Sequence, residues 1–354
     1  MRAYTYPIGF RVRPILSEWK GNIEDLLSAS KSEIETALSK ARDISWKNFG
    51  KRIRFYAPSF MYYKNARFCS SPMAFPSISV TGSFCALKCK HCGGKVLNTM
   101  LPAITPQQLV QVCSEAKEKG GIGCLISGGC LPDGSVPLGK FVDAIAEIKR
   151  KLGLTVVVHT GVVDFDMAKR LKEAGVDAAL IDIIGSDQTI KEIYQLNVHV
   201  SDYDKSLSAL HRANIPLVPH MLVGLHYGKL QGEFQALQMI SKYSPSAVIV
   251  IALIPIKGTA MQDVPPPTPQ DITKVLVMTR LMLPKTPLVL GCMRPKGKHR
   301  TETDTLAVKA GVNAIAFPAE QAIQLADSMK LETTFSSLCC SQIFEDLKRN
   351  IWKS

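Results

Sequence analysis

Residues 77–94 read SISVTGSFCALKCKHCGG, and this stretch decides how the rest of the chain is interpreted. It joins a β-branched run, typical of a buried strand, to three cysteines in a C-x3-C-x2-C spacing, Cys85, Cys89 and Cys92. Thiolates are soft ligands that suit iron–sulfur clusters, zinc or copper(I). A cubane cluster is ordinarily held by four cysteines. Three close cysteines therefore leave one iron open to a substrate or cofactor.

Other interpretations of the cysteine triplet stay open at this point. A structural zinc site would need a fourth ligand, but His91 directly precedes Cys92, and no second C-x2-C or H-x3-H pair lies nearby. A disulfide is not expected in a chain without an export signal. Inert thiols are the remaining alternative. The spacing favours the cluster.

Composition indicates a soluble globular protein. The 354 residues are 46% hydrophobic, which is enough for one large core or two moderate ones. The N-terminal MRAYTYPIGFRVRP has no apolar signal-peptide region, and the most apolar run, residues 247–256, is too short to cross a bilayer. We expect a cytoplasmic protein without a membrane partner, in which ten cysteines favour metal or redox roles over disulfides.

The chain is strongly basic, with a formal net charge of +13. Nucleic acid is not the expected partner, because aromatic residues make up only 7% and the Lys and Arg residues are scattered. The charge then indicates either a well-solvated surface or an acidic protein partner.

Outward from residues 77–94, short β-rich runs alternate with longer helical segments. The runs are almost continuously apolar, as expected of parallel strands covered on both faces. Eight strand–helix units predict a (β/α)8 barrel of TIM type, in which the cysteine triplet follows the first strand and lies on the rim that carries active sites. The predicted strands are 77–82, 123–127, 154–160, 178–184, 216–224, 247–255, 287–292 and 313–318.

Three regions are predicted along the chain. Apolar spacing of three and four residues over 16–50 predicts a helical extension, so residues 1–50 form the first region. Residues 51–320 form the barrel domain, and 321–354 a short C-terminal helix or flexible tail. Thr105-Pro106 and Thr268-Pro269 predict helix starts within the barrel.

Over about residues 50–320 this pattern resembles the radical S-adenosylmethionine (SAM) enzymes. In that family a CxxxCxxC loop after the first barrel strand holds a [4Fe–4S] cluster. SAM binds the open iron, and its reductive cleavage releases a 5′-deoxyadenosyl radical. The resemblance implies Cys85, Cys89 and Cys92 as cluster ligands, SAM as cofactor, and an electron donor such as ferredoxin or flavodoxin.

The same resemblance implies a set of cofactor-binding residues. Ser127-Gly128-Gly129 resembles the glycine-rich turn that binds the methionine amine, although Cys130 stands where the family often has Glu. Asp182 occupies the position of a ribose contact, and the Gly224 backbone that of an adenine contact. His91 replaces the usual aromatic residue before the third cysteine and would cover adenine with its ring.

The PIKGT turn at 255–259 and Arg294 point to relatives of biotin synthase and lipoyl synthase. Segments such as ISGGC, VHTGVVD and LGCMRPKG resemble archaeal biotin-synthase-related proteins, some of which form half of a two-protein lipoyl synthase. This branch implies sulfur insertion at C–H bonds, a second radical SAM protein as partner, and an acidic lipoyl carrier domain. A second iron–sulfur cluster would be held by four candidates, Cys130, Cys292, Cys339 and Cys340.

The catalytic residues are not fixed by the pattern, and the candidates are His159, His226 and Arg294. Two other functions also remain open. One is radical SAM chemistry with another outcome in cofactor biosynthesis, namely methylation, rearrangement or carbon–carbon bond formation. The other is a non-catalytic metal or electron-transfer module.

Overall fold

A parallel sheet curled around an apolar interior, with helices on its outside, forms the core of the chain in a computed structural model that describes residues 23–349. Within this range the sheet has eleven strands, in the order β11-β1-β10-β9-β8-β7-β6-β5-β4-β2-β3. The strands are β1 Arg52–Tyr56, β2 Ser77–Ser79, β3 Leu101–Pro102, β4 Gly123–Ser127, β5 Thr155–His159, β6 Ala178–Asp182, β7 Leu217–Val223, β8 Val248–Ala252, β9 Leu288–Leu290, β10 Ala314–Ala316 and β11 Glu332–Ser336.

Helices alternate with these strands and cover the outer face of the sheet. The helices are α1 Lys31–Phe49, α2 Pro106–Glu118, α3 Val142–Leu152, α4 Phe165–Glu173, α5 Asp187–Thr189, α6 Val200–Arg212, α7 Glu233–Ser241, α8 Pro269–Met282, α9 Lys298–Lys309, α10 Glu320–Ser328 and α11 Ile343–Lys348. Short 3₁₀ helices lie at Ile23–Leu27, Lys95–Thr99, Leu138–Phe141 and Cys340–Gln342, and a π-helical turn at Ile190–Tyr194.

The predicted TIM-type α/β architecture is confirmed, and so are all eight predicted strands, which are β2 and β4 to β10. The sheet differs from an eight-stranded closed barrel in one respect. Strands β1, β3 and β11 extend it, and β3 and β11 are left as unpaired edges within residues 23–349. Residues 57–76, between β1 and β2, pack against the inner core, where the Phe60 ring lies edge-on to Phe317 with ring centroids 5.0 Å apart.

Strand alternation sorts side chains between two cores. In β5, Val156 and Val158 pack outward with the helices, whereas Val157 packs inward with residues of β6 to β10. This alternation holds because successive strand side chains point to opposite faces. The inward face therefore lines the space enclosed by the curled sheet, and the last inward residue of each strand lies at its carboxyl end.

The predicted helix starts are confirmed. Thr105 and Thr268 each accept the backbone N–H three residues later and form complete capping boxes, with Pro at the first helical turn. The predicted extension appears as a 3₁₀ helix and α1, which packs on α8 and α9; residues 1–22 lie outside the described range.

Residues 321–349 are ordered and add one strand, β11, to the sheet, which corrects the expectation of a flexible tail. Strand β11 pairs with β1 over five residues, from Arg52↔Glu332 to Tyr56↔Ser336. The chain then enters the enclosed space, where Cys340, Ile343 and Phe344 join the inner core. Burial of these apolar side chains explains why the segment is ordered.

No helix in the described part of the chain is both long and apolar enough to cross a membrane.

Candidate functional site

One cavity of about 380 Å³ lies inside the curled sheet at the carboxyl ends of its strands. Parallel α/β sheets bind ligands at this edge, and the volume falls in the range of ligand pockets. Seven of the ten cysteines line it, together with many aliphatic side chains. The seven are Cys85, Cys89, Cys92, Cys130, Cys292, Cys339 and Cys340.

The loop after β2 brings the first three cysteines together, and we call residues 83–94 the cluster loop. Backbone N–H groups of Cys92 and Gly93 both donate to the carbonyl oxygen of Cys89, at 3.2 and 2.8 Å, so the chain turns tightly between the second and third cysteines. Gly93 and Gly94 complete the turn with positive φ angles of 52° and 76°. The turn places the ligand atoms of Cys89, His91 and Cys92 within 4.8 Å of one another.

Two thiols of the cluster loop have lowered pKa values. Hydrogen bonds from Cys130, through its thiol and its backbone N–H, lower the pKa of Cys85 to about 6. A hydrogen bond from the Cys89 thiol lowers the pKa of Cys92 to about 4. Because the thiolate is the form that binds metal, these surroundings favour ligation. The three converging soft sulfurs fit a [4Fe–4S] cluster held by three protein ligands.

The predicted glycine-rich turn lies directly against the cluster loop. Ser127, Gly128 and Gly129 all line the cavity, and Gly129 donates its N–H to the Thr81 hydroxyl at 2.7 Å. A Cβ at Gly129 would lie 2.0 Å from the carbonyl oxygen of Phe84. Glycine is therefore required where the two loops meet.

Cys130 belongs to the cluster-loop side of the cavity. Its N–H lies 3.3 Å from the Cys85 sulfur, and its carbonyl accepts the N–H of Ala86 at 2.9 Å. Burial and the hydrogen bond to Cys85 raise the pKa of the Cys130 thiol. Of the four candidates for a second cluster, Cys130 is thus the one that contacts the first.

His91 lines the cavity beside Tyr194, with ring centroids 5.1 Å apart. Its Nδ1 is buried and has no hydrogen-bond partner within residues 23–349. A buried orphan polar atom on a cavity wall indicates a ligand contact. This placement fits the predicted role of His91 at the cofactor.

His159, Asp182 and His220 form a polar layer deeper in the cavity. Asp182 and His220 are direct neighbours across β6 and β7, and His159 Nε2 lies 3.3 Å from Asp182 Oδ1. The histidine charges lower the pKa of Asp182 to about 2 despite its burial. Burial lowers the pKa of His220 to about 4, whereas Asp182 raises the pKa of His159 against the effect of burial.

A second group of cysteines comes from β9 and from the segment after β11. Burial and the nearby Cys339 thiolate raise the pKa of Cys292 to about 11. Hydrogen bonds, first from the Cys340 thiol, lower the pKa of Cys339 to about 7. Cys340 itself is 4% exposed. The fold therefore brings Cys292 and the adjacent pair Cys339 and Cys340 to one wall of the cavity.

Arg294, a predicted catalytic candidate, does not reach the cavity. It is fully buried, and its guanidinium pairs with Asp304 at 2.6 and 2.8 Å. The remaining donors bind the carbonyl oxygens of Gly291, at 2.5 Å, and Phe317, at 3.2 Å. All of this hydrogen bonding is internal, so Arg294 joins β9, α9 and β10 in this structure.

His226 and Gly224 also lie outside the cavity lining. His226 is buried, with Nδ1 3.2 Å from the Thr189 hydroxyl. Gly224 has a φ of 71°, packs against Pro267, and donates its N–H to Glu233 Oε1 at 2.9 Å. These positions make both residues part of the support around β7.

Sequence reasoning missed two parts of the cavity wall. Tyr194 and Tyr203 line it from the π-helical turn and α6, where no motif marks them. His220, within the predicted strand 216–224, also lines the cavity, where its imidazole can contact substrate or serve as a proton donor. Its alternation with Val218 and Leu222 in β7 was the available signal, because residues two apart share a face.

The family comparisons agree with this geometry. The family model of the Radical SAM superfamily matches residues 79–229, and that of the Biotin and Thiamin Synthesis associated domain matches residues 250–339. The first contains the cluster loop, and the second contains the segment that carries Cys292 and Cys339.

Among curated proteins, a biotin synthase of Leptospira biflexa is 24% identical over 278 residues, covering 77% of this chain and 73% of that protein. A biotin synthase of Zymomonas mobilis is 25% identical over 249 residues, covering 68% and 72%. These relatives span most of the sheet.

Two solved structures share the fold. Methylornithine synthase aligns with a TM-score of 0.60 at 16% identity, over 92% of this chain and 95% of that one. The [FeFe]-hydrogenase maturase HydG aligns with a TM-score of 0.64 at 16% identity, over 94% and 75%. Residues 79–229 therefore form a radical SAM domain, and residues 250–339 a Biotin and Thiamin Synthesis associated domain. The chain is related to the curated biotin synthases at low identity.

Proposed function

We propose that this protein uses a [4Fe–4S] cluster on Cys85, Cys89 and Cys92 to cleave SAM and insert sulfur at C–H bonds of a protein-bound acyl chain. In this proposal it is lipoyl synthase-like and acts as one of two subunits. The observation that carries the proposal is a single cavity in which an aliphatic wall connects the cluster loop to a second group of cysteines.

The radical-generating end of the cavity is supported by its donor set. When bound, the reduced cluster supplies the electron that cleaves the SAM sulfonium. The lowered pKa values of Cys85 and Cys92 favour the thiolates that hold it. Gly128 and Gly129 leave backbone groups free of a Cβ beside the cluster loop, where the SAM amine would bind. The imidazole of His91 covers one side of this space.

The shape of the cavity favours an acyl substrate. Leu180, Leu222, Ile249, Ile251 and Met293 project into it from the strands and from the end of β9. Burying an octanoyl chain against such a wall is favourable by roughly 0.8 kcal/mol per methylene. A small polar substrate would leave these side chains without a partner.

The sulfur source in this proposal is a second cluster, consumed as a substrate. Cys292, Cys339 and Cys340 supply three thiols on the same cavity, and the lowered pKa of Cys339 favours its thiolate. The Cys339-Cys340 segment is packed inside the sheet, so these thiols are held in place at the cavity.

Metal analysis tests the two-cluster account directly. After anaerobic reconstitution, iron and sulfide should exceed one [4Fe–4S] per chain. A Cys85→Ala/Cys89→Ala/Cys92→Ala variant should keep the iron of the second cluster, and adding Cys292→Ala and Cys339→Ala should remove it. If the triple variant keeps no iron, the second cluster is excluded.

Turnover tests the sulfur insertion itself. With SAM, a ferredoxin or flavodoxin donor and an octanoylated carrier peptide, we expect a peptide product that has gained sulfur, detected by mass spectrometry. The reaction should be run with and without a candidate second radical SAM subunit. A product that gains a methyl group or rearranges without sulfur would favour the other cofactor-biosynthesis functions instead.

The basic charge supports an acidic carrier domain as docking partner. With a net charge of +13, association with an acidic domain should be steered electrostatically and weaken as salt rises. Comparing KM for a free octanoyl peptide and for the whole carrier domain at two salt concentrations tests this. Equal KM values with no salt effect would contradict carrier docking.

A further inference from the structure

We propose that His159, Asp182 and His220 bind a divalent first-row transition-metal ion inside the sheet, separate from the cysteine-held clusters. Their three ligand atoms lie within 4.8 Å of one another. The inference does not depend on sulfur insertion, and it makes Asp182 a ligand of this ion rather than the ribose contact that the resemblance implies. It concerns a site of nitrogen and oxygen ligands, which is chemically distinct from the thiolate sites.

Strand register creates this ligand set. Asp182 is paired with His220 across β6 and β7, and His159 is paired with Leu180, two residues before Asp182. All three side chains therefore face the inside of the sheet, and His159 lies level in register with Leu180, two residues below Asp182 and His220. Three adjacent strands thus each contribute one metal-binding side chain to the inner face.

One histidine is already oriented for ligation. His220 Nδ1 lies 3.2 Å from the carbonyl oxygen of Val218, which can only accept, so Nδ1 carries the proton. Nε2 is then the unprotonated atom and faces the cavity. A backbone carbonyl that fixes the imidazole tautomer in this way is the usual support of a metal-bound histidine.

The donor set and distances fit a zinc- or iron(II)-type ion. Two histidines and one carboxylate are typical of such ions, whose ligands at about 2.1 Å lie roughly 3.4 Å apart in a tetrahedral site. The 3.3 Å between His159 Nε2 and Asp182 Oδ1 already satisfies this separation. The ligand atom of His220 lies within 4.8 Å of the other two, so a small approach completes the set.

The ion would face the cavity. The side chains of His159 and Asp182 are 24% and 30% exposed, and all three residues line the cavity that holds the cluster loop. Three protein ligands leave at least one coordination position open, as in catalytic rather than structural sites. The ion would therefore hold water or a polar group of the substrate within the same cavity.

Cobalt(II) tests the site because its spectrum reports its ligands. In the Cys85→Ala/Cys89→Ala/Cys92→Ala protein, we expect one Co²⁺ to bind with visible d–d bands and without a thiolate-to-cobalt charge-transfer band. His159→Ala and His220→Ala should each weaken binding by about tenfold or more. His211→Ala, an exposed histidine on α6, should leave binding unchanged.

The cluster-loaded wild-type protein provides a second measurement if the triple variant does not fold. After desalting, mass spectrometry should find about one retained cobalt per chain, lost in His220→Gln, with the iron content unchanged. Cobalt binding that is absent, insensitive to both histidines, or accompanied by a thiolate charge-transfer band would overturn the proposal.

Discussion

Gly129 allows the glycine-rich turn at 127–129 to pack directly against the cluster loop. Its missing side chain lets the carbonyl oxygen of Phe84 and the Cα of Cys85 approach to positions 2.0 and 2.6 Å from where a Cβ would stand. Both neighbours are backbone atoms of the cluster loop, so neither can rotate away. The geometry of the first cluster ligand is therefore set partly by a residue more than forty positions later in the chain.

Gly129→Ala should accordingly displace the cluster loop. We expect at least a several-fold loss of reconstituted cluster iron and of SAM cleavage, with a smaller effect on the melting temperature. Gly139→Ala is the matched control, because its Cβ would meet only the flexible ends of the Met167 and Arg170 side chains, at 3.1 and 3.6 Å. Full iron content and activity in Gly129→Ala would contradict this account of the loop contact.

Glu233 supports β7 through its hydrogen bond from Gly224 and is buried. Burial raises its pKa from 4.5 to about 7. Between pH 4.5 and about 7 the folded protein binds more protons than the unfolded chain. The stabilisation that Glu233 contributes is therefore complete at low pH and is lost as the pH rises through about 7.

Glu233→Gln removes this pH dependence while keeping an acceptor for Gly224. Relative to the wild type, its free energy of unfolding should be similar near pH 5 and higher by on the order of 2 kcal/mol near pH 8. Denaturant unfolding at both pH values measures this. Glu173→Gln, whose side chain is 62% exposed, should show no such trend. A constant difference across pH would refute the buried-charge explanation.

Single site residues differ in how far sequence could predict them. The cysteine triplet was identifiable because its ligands are local, and the Ser127-Gly128-Gly129 turn because it ends a strand. Arg294 and His226 are candidates because of their chemistry and their positions after strands. In the structure, however, Arg294 pairs with Asp304 and His226 lies against the Thr189 hydroxyl, outside the cavity. A sequence does not show which partner occupies a side chain.

Among the secondary-structure elements, α11 holds the C-terminal segment inside the sheet through one buried polar contact. Asp346 accepts a hydrogen bond from the Tyr56 hydroxyl at 2.5 Å and pairs with Arg54 at 2.8 Å. The side chains of Arg54 and Asp346 are only 10% and 6% exposed. This contact ties α11 to β1, and with it the Cys339-Cys340 segment to the cavity.

Asp346→Ala should destabilise the protein by about 3 kcal/mol or more, because Arg54 would remain buried without its charge partner. Glu345→Ala on the same helix removes a partly exposed pair with Lys348 and should cost about 0.5 kcal/mol or less. Denaturant unfolding measures both. Equal effects of the two substitutions would argue against α11 as an anchored element.

The sequence predicted the strands whose apolar runs are continuous, and it did not predict the additional strands β1 and β11. Strands β4 to β10 are buried on both faces, so hydrophobicity alone marked them. Strands β1 (RIRFY) and β11 (ETTFS) carry polar residues, and their role depends on pairing between segments nearly three hundred residues apart. Local sequence does not show pairing between such distant segments. For this reason the sequence predicts a tail where the structure has β11.

Across the whole molecule, the curled sheet gathers chemistry that is scattered along the chain. The cluster loop comes from the first third of the sequence, the polar layer from the middle, and the second cysteine group from the last quarter. Sequence predicted the first of these in full. The other two required the register of β5 to β7 and the return of the chain after β11 into the enclosed space.

The central claim is that this cavity cleaves SAM reductively, and 5′-deoxyadenosine is its direct product. Reconstituted protein with SAM and a strong reductant should form 5′-deoxyadenosine, detected by mass spectrometry, and the Cys85→Ala/Cys89→Ala/Cys92→Ala variant should form none. A wild-type protein that carries a full cluster and still yields no 5′-deoxyadenosine would contradict the account and leave a non-catalytic metal module as the remaining function.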